Sequence, residues 1–181
     1  GNFDSAINEL NIVLNKDPDH YEANRHLGLI KFECDELEEA ERLFNKSLER
    51  HSSGFESITN LARVKIVRDD LLEAERLLER SYEINRNYLA TLLNFCEIYF
   101  RANNKEKCLK YALEAIKLAP KDPMTISKYS KALIINSREK EAIEILEELT
   151  LQYPVHDFLL SLSNAYLISG DINKSNSIIN N

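Results

Sequence analysis

Small residues recur at intervals of 34: Ala6, Ala40, Ala74, Cys108 and Ala142. A fixed period of this length constrains the fold more than any other feature. It demands like supersecondary units, each of which buries its apolar face only by stacking on the next. A column four places on reads Leu10, Phe44, Leu78, Ala112 and Leu146, and one seven places on reads Val13, Ser47, Ser81, Ala115 and Leu149. Offsets of four and seven put all three columns on one face of a helix.

A second set of columns marks a second helix in each period. Leu27, Leu61, Phe95 and Tyr129 are large, and the residues after them, Gly28, Ala62, Cys96 and Ser130, are small. Leu162 and Ser163 continue the pattern with one residue deleted near Pro154. Turn formers fall between the two helices, at Gly1, Asp35, Asp69, Asn103, Ser137 and Gly170, and Pro18, Pro120 and Pro154 fall at repeat ends. The chain has only four glycines and four prolines, too few for a sheet with many tight turns. First helices are expected at 20–33, 54–67, 88–101, 122–136 and 156–169, and second helices at 3–15, 36–50, 70–84, 104–118, 139–152 and 172–180. Ser53 with Glu56, Asp35 with Glu38 and Asn103 with Glu106 read as capping boxes, and Asp122 before Pro123 as a cap followed by proline in the first turn.

The pattern resembles the tetratricopeptide repeat family over essentially the whole chain. Leu27-Gly28, Ala40, Phe44 and Pro18 carry the likeness in the first repeats; Tyr99, Ala112, Ala115 and Pro120 in the fourth segment; and Leu162, Tyr166, Gly170 and Asp171 in the last. Asn24 and Ile58 stand where the family has an aromatic residue early in the first helix, and Arg86 replaces a terminal proline. The resemblance implies an all-α, right-handed superhelical solenoid of about eleven helices. Residues 1–20 would be the second helix of a partial repeat, 21–54, 55–88, 89–122 and 123–155 complete repeats, and 156–181 a partial one. Incomplete repeats at both ends suggest part of a longer protein.

Helices approach closely only where both present small side chains, so Gly28 is expected against Ala40 and Ala62 against Ala74. Phe44 would fill the gap towards the neighbouring repeat, and Cys96 and Cys108, in facing small columns, would touch. The three cysteines match no zinc or haem spacing and read as reduced thiols.

The net charge of -7 disfavours a nucleic-acid partner, whose phosphates call for a basic excess. No apolar run is long enough to span a membrane and no signal peptide is visible, so a cytoplasmic setting is expected. No cofactor or metal is expected, because the four histidines form no ligand pair, no nucleophile motif is present and no glycine-rich phosphate loop exists. An enzymatic role is accordingly not expected.

In the family, first helices line a concave surface that takes ligands. Carried over, this implies a protein or peptide ligand in a groove whose candidate contacts are Arg25, His26, Leu29, Asn60, Arg63, Asn94, Glu97, Arg101, Lys128, Lys131 and Asn164. The wider inner set, including Thr59, Ser127 and Ser161, carries five bases and five acids, leaving the outer helices the acidic part of the chain. Lys128 and Lys131 make one end basic, which favours some acidic character in the ligand. Asn60 and Asn94 occupy equivalent places, where an amide can pair with an extended backbone without reading its sequence. The pattern by which some members clamp a C-terminal carboxylate fails, because Leu29 and Ala90 stand where polar or basic groups are needed. The expectation is a scaffold for a partner peptide or helix within an assembly. The alternatives are a docking arm of a larger enzyme such as a glycosyl- or sulfotransferase, and self-association through uncapped terminal faces.

Overall fold

A computed structural model describes residues 3–179 of the 181, and among these the elements are eleven α-helices. The chain divides into two compact units, Gly1–Thr91 and Leu92–Asn181. The first holds α1 (Asp4–Lys16), α2 (Tyr21–Glu33), α3 (Leu37–Leu48), α4 (Phe55–Val67), α5 (Leu71–Ile84) and the start of α6 (Leu89–Arg101). The second holds the rest of α6 with α7 (Lys105–Leu118), α8 (Pro123–Ile135), α9 (Glu139–Gln152), α10 (His156–Ser169) and α11 (Ile172–Ile179). Every expected helix is present, with ends within two residues of those read from the columns. The expected turn at Gly1 and the expected last helix end at 180 lie outside the described residues.

Five hairpins close in one way. Asp35, Asp69, Asn103 and Ser137 have φ of 62°, 60°, 51° and 61°, and Gly170 has 90°. In each case the next amide reaches back to the carbonyl five residues earlier: Glu36 to Lys31 at 2.9 Å, Asp70 to Lys65 at 2.9 Å, Asn104 to Tyr99 at 2.8 Å, Arg138 to Leu133 at 3.0 Å and Asp171 to Tyr166 at 2.9 Å. This is the Schellman closure, which satisfies carbonyls that a helix end leaves open.

The closure corrects two expected caps. Asp35 and Asn103 end one helix in the left-handed region, so they cannot also start the next. The cap moves one residue on. Asp70 and Asn104 accept the amides of Glu73 and Lys107 with their side chains, and Glu36 caps α3 without a side-chain bond. The Ser53 box is also absent. Gly54 is the cap there, and Glu56 instead accepts the Tyr21 hydroxyl at 3.0 Å. Asp122 caps α8 as expected, accepting the Thr125 amide at 2.7 Å, with proline in the first turn.

Within the first unit, α2 pairs with α3 and α4 with α5, and α3 packs on α4. Ala40, Phe44, Leu61 and Val64 form one core, flanked by Leu29, Phe32, Leu37, Leu48 and Leu77. Phe44 sits against Gly28 itself, in the same hairpin as well as towards the next: a Cβ at Gly28 would lie 2.7 Å from the Phe44 ring. Glycine here makes room for a large ring, more than for a close backbone approach to Ala40. Asn24, which replaces the family's aromatic, is 2% exposed and donates to the carbonyls of Pro18 and His20 at 2.9 and 3.0 Å. It thus ties down the α1–α2 turn.

A seam of hydroxyls runs between successive hairpins. Ser47 donates to Ser57 at 2.7 Å, and Thr59 lies 2.8 Å from both Ser81 and Thr91. All five are fully buried. Thr59 therefore belongs to the interior and not to an inner binding surface.

In the second unit, Leu133, Leu146, Leu149, Phe158, Leu162 and Tyr166 form the principal cluster. Phe95, Tyr99 and Tyr111 stack between α6 and α7, with Phe95 and Tyr111 centroids 4.2 Å apart. Cys108 lies beside Cys96, its thiol 3.6 Å from the Cys96 carbonyl, and both are free thiols. Burial pushes the Cys96 thiol up to about 12 and that of Cys108 to about 11, so neither supplies a thiolate near neutral pH.

Truncating Phe44 to alanine should cost ~3–5 kcal/mol, the range for a buried aromatic ring. Gly28→Ala should also destabilise, by about 1–3 kcal/mol, because the rigid ring cannot yield to the added methyl. Denaturant titrations of the two single variants and the double variant check this. The two costs should be strongly non-additive, since removing the ring frees the space that the methyl needs.

Candidate functional site

The first helices of the first unit, α2 and α4, carry five of the expected contacts. Glu22 gathers two of them. Its carboxylate lies 2.5 Å from the Arg25 guanidinium and 3.4 Å from His26 Nε2, and Arg25 lies 2.9 Å from the same imidazole nitrogen. The spacings of three and four residues put these side chains on one helical face. His26 and Leu29 also line a cleft of about 420 Å³ against Leu10 and Val13 of α1. On α4, the Arg63 guanidinium lies 4.5 Å above the Phe32 ring and 3.5 Å from Glu33.

Asn60 differs from these neighbours. It is 6% exposed, and among the described residues its amide has no hydrogen-bond partner. No buried side-chain nitrogen or oxygen among those residues is both sealed from solvent and unpaired, so the Asn60 amide tip reaches the surface. The amide is held by packing and presents unused donors and an acceptor. Two tyrosines interact with Glu56, one turn before Asn60 on α4. Burial raises the Tyr88 hydroxyl above its ordinary value, with Glu56 adding to the effect. Burial likewise raises Tyr21, with Glu56 again adding to it and the Ser57 hydroxyl opposing.

In the second unit, Glu97 brings three expected contacts together. It bonds Lys128 of α8 closely and lies 2.7 Å from Arg101 one turn along α6. Lys128 is thus committed within the protein, which reduces the basic end read from the sequence. Lys131 is half-buried and has no ion-pair partner among the described residues. Asn94 is half-buried and Asn164 exposed. The structure does not gather Lys131, Asn94 and Asn164 into the Glu97 cluster. Of the wider inner set, Ser127 and Ser161 are 5% and 9% exposed and offer little surface. Leu160, Leu167 and Ile168, about half exposed, give α10 an apolar solvent-facing side.

Of the expected contacts, Arg25, Arg63, Arg101 and Lys128 therefore already have anionic partners, and several acids of the second helices have cations. Glu41, for example, lies 2.6 Å from Lys65 and 2.5 Å from Arg68. What stays open on the first helices is apolar surface and the Asn60 amide more than net charge. Among the described residues no group of three or more His, Cys, Asp or Glu could hold a metal ion, and no helix is long and apolar enough to cross a membrane.

Burial pushes the Glu97 carboxyl up, but the bonds from Lys128 and Arg101 outweigh it and hold the group below its ordinary value of 4.5. A carboxyl depressed in the folded state contributes stability above its unfolded pKa, and loses it as pH falls through the folded pKa. The chain should therefore lose melting temperature on acidification below about pH 4.5, and Glu97→Gln should flatten that acid limb. Thermal melts of both forms between neutral pH and strong acid check this. Parallel curves would show that Glu97 carries none of the acid sensitivity.

No protein-family model matches the chain, and no curated protein matches it in sequence. Solved structures do match in fold. YrrB, described as a TPR protein with an unusual peptide-binding site, shares 17% identity at a TM-score of 0.72, over 94% of this chain and 89% of its own. TTC0263, a thermophilic TPR protein of Thermus thermophilus, shares 15% at 0.74, over 87% of each. A chain of the APC/C hetero-tetramer Cut9–Hcn1 shares 15% at 0.83, over 96% of this chain but 36% of its own. With five Schellman-closed hairpins on a 34-residue period and these likenesses over nearly its whole length, the chain is an all-α helical repeat protein of the tetratricopeptide repeat fold.

Proposed function

We propose that this chain is a protein-interaction module whose first helices take a partner peptide or helix on their inner faces. The observation that carries the reading is Asn60. An amide 6% exposed and without an internal partner is poised to exchange its solvent contact for a ligand's backbone groups. A buried polar group costs free energy unless it is hydrogen-bonded, so such an amide gains most from a ligand that can both donate and accept. An extended polypeptide does both at every residue.

The surroundings agree with that partner. Arg63, stacked over Phe32 and paired with Glu33, is held in one orientation and gives a flat, partly apolar wall. In the second unit, the exposed Leu160, Leu167 and Ile168 of α10 offer apolar surface of their own for a partner's side chains. Two of the structural neighbours support the class. YrrB is described as having a peptide-binding site, and Cut9–Hcn1 is a multiprotein assembly.

A phage-displayed peptide library selected on the immobilised protein provides the ligands for the test. Selected peptides should lose roughly tenfold or more in affinity on Asn60→Ala, the scale of one buried hydrogen bond left unmade. Arg63→Ala, one turn along the same helix, should also weaken binding. Circular dichroism should show unchanged helicity in both. Peptides that bind the Asn60→Ala form as tightly as the parent would place the interaction on another surface.

A further inference from the structure

Away from the inner faces, the second unit holds a cleft of about 570 Å³ between α7, α8 and α9. Ile116, Ile126, Ile145 and Leu149 form its apolar walls, and Tyr129 and Tyr153 supply two rings. Its volume falls within the ~300–1,000 Å³ of ordinary ligand sites.

The repeat shows why the space is open. One repeat earlier, Tyr111 lies on Phe95 with planes 14° apart, and Tyr99 stacks against both with centroids 5.8 and 5.7 Å away. Those three side chains are at most 8% exposed. Moving on by 34 residues turns Phe95, Tyr99 and Tyr111 into Tyr129, Leu133 and Ile145. The ring that covers Phe95 is thus replaced by an aliphatic side chain. Tyr129 has no ring stacked on it among the described residues, and it opens on the cleft.

The geometry points to a second binding site: we propose that this cleft takes an aromatic side chain of a partner polypeptide onto Tyr129, in the manner of Tyr111 on Phe95. Aromatic pairs gain from offset or edge contact beyond the area they bury. The rim decides between a polypeptide and a charged small molecule. Lys121 and Glu148 bring one charge of each sign, and Gln152 brings an amide. A rim without net charge suits the neutral backbone on either side of an inserted ring. The site shares no residue with the Asn60 region, so it stands or falls apart from the inner-face reading.

Methyl-labelled protein titrated with the blocked peptides acetyl-Gly-Phe-Gly-amide and acetyl-Gly-Leu-Gly-amide tests the proposal by NMR. The phenylalanine peptide should shift the methyl signals of Ile116, Ile126, Ile145 and Leu149 saturably, with millimolar affinity. The leucine peptide should bind at least about five-fold more weakly, the worth of a ring pair. Ile145→Tyr restores the missing ring and should abolish these shifts while keeping or raising the melting temperature. Ile116→Tyr narrows the same space from α7 and tests the same exclusion should the first variant fold poorly. Equal response to both peptides, no saturable shift at all, or saturable binding that persists in a folded filled variant would overturn the proposal.

Discussion

The single left-handed residue that ends each first helix governs the rest of the structure. At Asp35, Asp69, Asn103, Ser137 and Gly170 the chain reverses within two residues, and the next amide returns to a carbonyl five positions back. Because the reversal has one geometry each time, the second helix always starts at the same phase relative to the first. That fixed phase makes the 34-residue period meaningful: it brings the small column of one helix opposite the small-large pair of the other. Four of the five positions are not glycine, and such backbone costs of order 1 kcal/mol or more where a Cβ is present. Aspartate and asparagine carry that cost best, through local hydrogen bonds, and they hold three of the positions.

With the hairpins phased, the remaining differences between repeats lie in how the space is filled. Gly28 leaves room for the Phe44 ring, whereas one repeat on the corresponding columns hold Ala62 and Leu78. The inner faces inherit what the packing does not use. Charges there close on one another, as at Arg25 with Glu22 and at Glu97 with Lys128 and Arg101, and the Asn60 amide is left over. An interior built from repeating columns thus produces a surface on which individuality is confined to a few positions.

Much of this was legible in the sequence because a 34-residue period over-determines the helices. The turn residues from Asp35 to Gly170 were found at the right positions, and the described helix ends fell within two residues. The caps were misplaced by one at Asp35 and Asn103, because turn formers and cap formers are the same residue types and only backbone φ separates them. Thr59, read as an inner contact, is interior, since at 100° per residue neighbouring columns of a helix shade into one another and a hydroxyl is small enough to be buried if paired. The ion pairs of Arg25, Arg63 and Lys128 were not evident, because each depends on where long side chains point and not on periodicity. The cleft at Tyr129 escaped notice for the opposite reason. There the period is kept and a ring gives way to an aliphatic side chain, Tyr111 to Ile145, which only comparison of the two copies reveals.

The hydroxyl seam has a consequence for assembly order. Ser47 meets Ser57, and Ser81 meets Thr59 and Thr91, whereas at the next position Ala115 offers no hydroxyl and Thr125 turns back to its own cap at Asp122, 2.7 Å away. Apolar columns alone would let any hairpin stack on any other. Ser47 and Thr59 also reach carbonyls of their own helices, at 2.7 and 2.8 Å, so a hairpin set beside the wrong neighbour forfeits the bond across the seam, about 0.5–1.5 kcal/mol each. Within the first unit the seam thus holds successive hairpins to one polar register, and that register ends where Ala115 replaces the serine.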